Sequence, residues 1–147
     1  MENSDFDQLY KMGEHFCIDN PHLKEIGWDR DSTRNLLSLI TSSDNIVGLT
    51  VEKETELVGM IVTVISPHMF NNQILVADEV AWWVEPEYRT LVANTLLQTT
   101  EDLLKDMGVK YLYMKYLHAE VFSPKLMERF YRNKGYEKIE SSVRKEL

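Results

Sequence analysis

One cysteine, Cys17, is all that the 147 residues contain. An intrachain disulfide is therefore excluded, and so is a zinc site built on thiolates. Cys17 stands in the apolar run Phe16-Cys17-Ile18, which reads as a buried, inert thiol. Basic residues are also scarce: 16 Lys and Arg face 24 Asp and Glu, for a formal net charge of −8. Holding a phosphate backbone needs clustered Lys and Arg, so no nucleic-acid partner is expected. The balance leans instead towards cationic partners, amines or a basic protein surface. Long hydrophobic runs are missing too. The longest, around 57–65, is too short and too strand-like to span a membrane. The opening MENSDFDQLY shows neither the basic nor the apolar region of a signal peptide, so the expected location is a reducing cytoplasm. Finally, no glycine occurs between Gly59 and Gly108, an absence that matters for the site.

What is present describes an ordinary globular chain. Apolar residues make up 44% and charged residues 27%, enough for one core, and residues 1–147 read as a single domain. Phe6, Leu9, Tyr10, Phe16 and Cys17 fall at helical spacing, with Ser4 or Asp5 as cap. Pro21 and Gly27 interrupt, and a second helix follows with Leu36, Leu37 and Ile40 inward and Asp31 or Ser32 as cap. Two apolar runs joined by Glu52-Lys53-Glu54-Thr55-Glu56 predict a hairpin with a loop of several residues. Its second strand is apolar on both faces, which predicts a central strand covered on both sides. Ser66 to Gln73 reads as a loop, and a further strand runs to Val84, stopped by Pro86. A helix from about Thr90 to Met107 turns Val92, Leu96, Leu103, Leu104 and Met107 inward, and Gly108 ends it in the left-handed conformation. A strand around Lys110–Leu117 follows. Ser123 and Pro124 cap a helix closed by Gly135, and the tail from Tyr136 reads as a strand pair or one bent strand. The order is that of a single mixed-sheet α/β domain.

Three segments carry a family pattern. Glu79-Val80-Ala81-Trp82-Trp83-Val84-Glu85-Pro86-Glu87-Tyr88-Arg89 is a strand running into a helix; Tyr111-Leu112-Tyr113-Met114 is the next strand; Phe130-Tyr131-Arg132-Asn133-Lys134-Gly135-Tyr136 ends the last helix. Together they resemble the GNAT superfamily of acyl-CoA-dependent N-acetyltransferases, over nearly the whole chain. The Ser142-Val143-Arg144-Lys145-Glu146-Leu147 tail is similar to that of small stand-alone phage members, for which the location would be the host cytoplasm.

The resemblance implies the GNAT fold, a mixed sheet with helices on both faces, and acetyl-CoA as co-substrate. The family's fourth and fifth strands splay, and the pantetheine arm adds to the free backbone of the fourth, here Trp82, Trp83 and Val84. The pyrophosphate rests on the next helix's amides, where dipole and unpaired N–H groups favour anions. The family pattern there is Arg/Gln-x-x-Gly-x-Gly/Ala. Without a gap, Arg89 fits but Val92 and Asn94 replace the glycines; with one residue deleted, Leu91 replaces the first glycine and Ala93 matches the alanine. The second alignment keeps Leu96 and Leu97 in place. The cofactor-binding set implied is thus Trp83, Val84, Arg89, Thr90, Leu91, Val92, Ala93, Asn94 and Ser123.

The reaction is direct attack of an amine on the thioester, so no protein nucleophile is needed. Tyr131 occupies the family's general-acid position; a phenol of pKa near 10 stays protonated at neutral pH. Its other reading is helix packing, with Phe130 as the buried member. Glu79 is the candidate base, with Asp78 as competitor and solvent-facing charges as the alternative for both. On strict alternation Glu79 shares a face with Ala81 and Trp83, opposite Val80, Trp82 and Val84. His68, Phe70, Trp82 and His118 are candidates to border the acceptor; His15 and His22 fall on a surface or lid, and no histidine spacing matches a metal motif. The expected acceptor is an amine-bearing small molecule or protein, and a homodimer fits family habit. The rival expectation is a noncatalytic GNAT-fold binding or structural protein with a degenerate pyrophosphate loop.

Overall fold

Residues 1–116 and 123–146 are described by the structure, a computed structural model; His118 lies outside them, as do the side chains of Pro21 and His22. The chain divides into two compact units, Met1–Lys115 and Tyr116–Leu147.

In the first unit the apolar runs become strands β1 (Ile46–Lys53), β2 (Glu56–His68), β3 (Asn71–Val84) and β4 (Val109–Tyr113), hydrogen-bonded in that order. The β1–β2 and β2–β3 pairs are antiparallel and β3–β4 is parallel. The helices of this unit are α1 (Phe6–Ile18), the single turn α2 (Pro21–Lys24), α3 (Arg30–Ser42) and α4 (Arg89–Asp106), the last crossing over from β3 to β4. The doubly apolar β2 is covered on both faces. Met60 joins Phe6, Leu9 and Met12 of α1 and Leu37 of α3. From the other face Ile61 packs with Leu96, and Ile65 shares a cluster with Leu104, both of α4.

Several local expectations need correction. Asp29, not Asp31 or Ser32, caps α3: its extended backbone (φ −100°, ψ 133°) lets its carboxylate accept from the Ser32 N–H at 2.6 Å. Both hairpin loops are tighter than their polar sequences suggest. Only Glu54 and Thr55 separate β1 from β2, with Glu54 at φ 60°. His68 pairs with Asn71, so Met69 and Phe70 alone turn the second hairpin. On α4 the inward face is Leu96, Leu97, Thr100 and Leu104; Leu103 and Met107 are exposed. Thr100 tolerates burial because its hydroxyl donates to the Leu96 carbonyl at 2.8 Å. Gly108 does end the segment in the left-handed region, at φ 79°. No helix among the described residues is long and apolar enough to cross a membrane.

The second unit is built around α5 (Pro124–Asn133). Ser123 caps it by accepting from the Leu126 N–H, Pro124 opens its first turn, and Gly135 (φ 87°) follows its end. The tail at 136–146 forms no strand. Ile139 and Val143 are the only apolar residues from Glu137 to Glu146 and both are exposed, too little surface to hold a ladder.

Candidate active site

The candidate site begins where two strands stop pairing. β3 and β4 pair from Leu75 opposite Val109 to Asp78 opposite Tyr113, with one register shift after Leu75, and β3 then runs on to Val84 with β2 as its one remaining partner strand. At that point β3 also carries a bulge. Thr63 of β2 faces Glu79 and Val62 faces Ala81, so Val80 is one residue in excess. An extra residue exchanges the faces of everything beyond it. Glu79 therefore lies on the α4 side with Ala77, and past the bulge Trp82 and Val84 take that side while Ala81 and Trp83 turn towards α1 and α3. This corrects the alternation that grouped Glu79 with Ala81 and Trp83.

Glu79 is a buried carboxylate, 6% exposed. Burial pushes its pKa up to about 7, opposed by the hydrogen bond from the Lys115 N–H and by the Lys115 charge. That N–H donates to Oε2 at 3.1 Å, so the chain leaving β4 is held by a side chain where the ladder has ended. Asp78, its competitor, is 42% exposed and paired with the Lys115 ammonium at 3.5 Å. The raised pKa of Glu79 lies where proton transfer near neutrality needs it.

At the start of α4, the scarcity of glycine carries no backbone penalty. Pro86–Tyr88 forms a 3-10 turn, and Arg89 is already helical at φ −52°, ψ −42°. Among the described residues only Glu54 combines a side chain with a positive φ, so Glu85 to Asn94 demand no glycine. Leu91 points to solvent, 74% exposed. Val92 turns inward, and the close approach falls on Gly59 of β2, where a Cβ would stand 3.2 Å from Val92 and 3.3 Å from Val84. Thr90 and Asn94 are exposed, Ala93 is half-buried, and no acidic residue occupies the first turn.

Arg89 is committed elsewhere. Its Nε donates to the Val84 carbonyl at 3.0 Å, its Nη2 reaches Asp19 at 3.4 Å, and its guanidinium lies 4.7 Å over the Trp83 ring. Next to it, His15 Nδ1 lies 2.9 Å from Glu85 Oε1, and Phe16 meets Trp83 edge-on at 5.9 Å. The last turns of α1 are thereby fastened to the β3–α4 junction. Sequence reasoning missed this because Asp19 precedes Arg89 by 70 residues.

The remaining candidates of the first unit are dispersed. His68 and Phe70 sit at the hairpin tip; eight residues separate Asn71 from Glu79, roughly 27 Å of strand. That length of strand separates them from Glu79. Trp82 joins the cluster under α4, and Trp83 the one under α1. In the second unit Tyr131, rather than Phe130, is the buried member of its pair. Its ring stacks on Tyr116 at 6.1 Å and meets Phe130 and Tyr136 edge-on. Among the described residues no group of three His, Cys, Asp or Glu could hold a metal ion.

A mixed sheet whose last two strands part beside a buried carboxylate, with the crossover helix starting at the open end, is the architecture of an acyltransferase. The chain belongs to the acetyltransferase (GNAT) family, whose model matches residues 9–136. No curated protein sequence matches it. Solved structures resemble it over its whole length. A transcriptional regulator from Bacillus halodurans C-125 is 14% identical with a TM-score of 0.77, covering 100% of this chain and 96% of its own. The ribosomal-protein-alanine N-acetyltransferase of Brucella melitensis biovar Abortus 2308 is 13% identical with a TM-score of 0.73, covering 100% and 96%. AAC(6')-Iy in complex with the bisubstrate analog CoA-S-monomethyl-acetylneamine is 13% identical with a TM-score of 0.76, covering 100% and 94%. At such identities the likeness is one of fold.

Proposed function

We propose that the protein is an N-acetyltransferase that moves an acetyl group from acetyl-CoA to a primary amine by direct attack. The observation that carries this reading is the buried Glu79 at the point where β3 and β4 part. Acetyl-CoA, when bound, supplies a thioester whose C–S bond is exchanged for a C–N bond. Trp83 and Val84 would hold its pantetheine arm through their backbone, and the amides of Thr90 to Asn94 its pyrophosphate. Ser123 completes the proposed set. Family membership and the neighbour bound to a CoA analog support the choice of donor.

Glu79 takes the proton that an ammonium must lose before its nitrogen can attack, directly or through water. The β3 amides near Trp83 and Val84 stabilise the oxyanion. Tyr131 is proposed as the acid that protonates the departing sulfur. The acceptor is an amine-bearing small molecule or protein; Trp82 and His118 stay in the proposed acceptor set.

A second reading is favoured by one observation. Arg89 is engaged with Asp19, Val84 and Trp83, and no basic residue occurs from Thr90 to Thr95, so a CoA-free binding protein would account for the same loop. Calorimetry with acetyl-CoA separates the two. Micromolar binding is the expected result; no heat and no thermal shift at millimolar acetyl-CoA would leave the binding-protein reading standing.

A further inference from the structure

We propose that the Thr63 hydroxyl is the positioning partner of Glu79, donating a hydrogen bond to the carboxylate oxygen that Lys115 leaves available. The proposal rests on the reading of Glu79 as the base and adds a residue that reading does not contain. Thr63 is wholly buried, at 0% exposure. Its Oγ1 is also buried and meets no hydrogen-bond partner among the described residues, Glu79 included, so the proposed bond forms by a turn of the Thr63 or Glu79 side chain. Buried hydroxyls are normally paired, so one without a partner calls for an explanation.

The register supplies it. Thr63 and Glu79 are direct cross-strand partners on the same face of the β2–β3 pair. Side chains so placed have Cβ atoms roughly 4.5–5.5 Å apart, within reach of a glutamate and a hydroxyl. The bulge at Val80 begins immediately after this pair and separates Glu79 from Ala81 and Trp83. Thr63 also interrupts an otherwise apolar run, Met60-Ile61-Val62-Thr63-Val64-Ile65. Valine would fill the same space with no orphaned donor. The hydroxyl in that run stands opposite the buried carboxylate of β3.

Chemically the match is one-sided. An ionised carboxylate only accepts, with capacity for several donors, and the Lys115 N–H supplies one to Oε2. A threonine hydroxyl supplies a second without bringing charge. The charged groups around Glu79 are few. Lys115, on the segment after β4, pulls towards ionisation. Asp78 precedes it on the opposite face and is tied to the Lys115 ammonium. β2 brings none, since Val62 and Val64 flank Thr63. On α4 the inward residues are apolar or threonine, and Glu101 lines a groove with Val109 and Leu112. With so little charge nearby, a neutral donor has a measurable share in holding the ionised form.

The test is a carbon-13 titration of the side-chain carboxyls in the full chain, with the Glu79 signal assigned by its loss in Glu79→Gln. Thr63→Val is expected to raise the Glu79 midpoint by about one to two pH units, the size of one hydrogen bond to a charged group. Thr63→Ser restores it, and Thr63→Ala repeats the rise should the valine variant fold poorly. A midpoint unchanged in both Val and Ala variants, with a higher Tm in Thr63→Val, would make Thr63 a mere orphan and overturn the proposal. Because the titration reads the carboxyl itself, it stands apart from whether acetyl transfer occurs. Where transfer is measured, the acid limb of kcat/KM moves upward with the midpoint.

Discussion

The two ends of β3 are built on different principles. From Leu75 to Asp78 the strand is zipped between β2 and β4, and its position follows from two ladders. From Glu79 to Val84 the β4 ladder is gone and side chains take over. On that free edge Glu79 accepts the Lys115 N–H and Arg89 binds the Val84 carbonyl, while the other edge stays paired with β2 from Thr63 to Gly59 and the Glu85 N–H donates on to the Val58 carbonyl. A strand edge held in this way keeps its own N–H and C=O groups in place without a neighbouring strand, as strand addition by a guest requires. The paired end is scaffold, and the parted end combines a preset edge with a carboxylate that desolvation keeps near neutrality.

The sharpest way to break that contrast is to neutralise Glu79. Glu79→Gln should lower turnover by about 10²–10⁴-fold, the usual contribution of a positioned base. It should also stabilise the fold, a combination a structural residue would not show. Burial raises this carboxyl from 4.5 to about 7. Below pH 4.5 both folded and unfolded states hold the proton. As pH rises towards 7 the unfolded chain ionises first, so stability falls across that window and the full penalty stands above it. The shift corresponds to about 3 kcal/mol, which Glu79→Gln recovers at pH 8 and not at pH 4.5. Urea titrations at the two pH values measure it. Asp78→Asn at the paired end, half-exposed, should change stability by less than about 0.5 kcal/mol. Unchanged turnover in Glu79→Gln would put the base elsewhere.

Arg89 sharpens the same comparison at smaller amplitude. Its fork and its stacking on Trp83 are specific to arginine, so Arg89→Lys and Arg89→Gln should each cost about 1 kcal/mol in urea titrations. Acetyl-CoA affinity should fall alike in both. If Lys preserved affinity while Gln lost it tenfold, charge at the pyrophosphate would be the residue's role, and the clamp would be incidental.

Much of this was legible in the residues. Helical spacing, the doubly apolar β2, the Ser123-Pro124 cap and the terminating Gly108 and Gly135 each follow from local chemistry. Glu79 could be nominated but not oriented. The bulge that sets its face consists of one ordinary valine, Val80, and alternation has no means of signalling an added residue. Thr63 hid in an apolar run for the opposite reason, its hydroxyl meaning nothing until a partner strand stands across from it. Thr100 displaced Leu103 from the inward face of α4 because a helix carbonyl satisfies a buried hydroxyl. Arg89 could be nominated from its place before the helix, but its contact with Asp19, far away in sequence, could not be foreseen.

The smallest effect is expected at the tip of the β2–β3 hairpin, and it tests the contrast from the opposite side. Met69 and Phe70 are each 85% exposed, and Phe70 touches little beyond the His68 ring at a centroid distance of 5.8 Å. Phe70→Ser removes almost no buried surface, so stability should stay within about 0.5 kcal/mol. Turnover should stay within about twofold, because roughly 27 Å of strand lies between Asn71 and Glu79. A tenfold loss of turnover with stability unchanged would bring the tip back to the acceptor, as the family resemblance first suggested. It would also mean that the working surface of β3 extends along its paired end, and the division between scaffold and site would have to be redrawn.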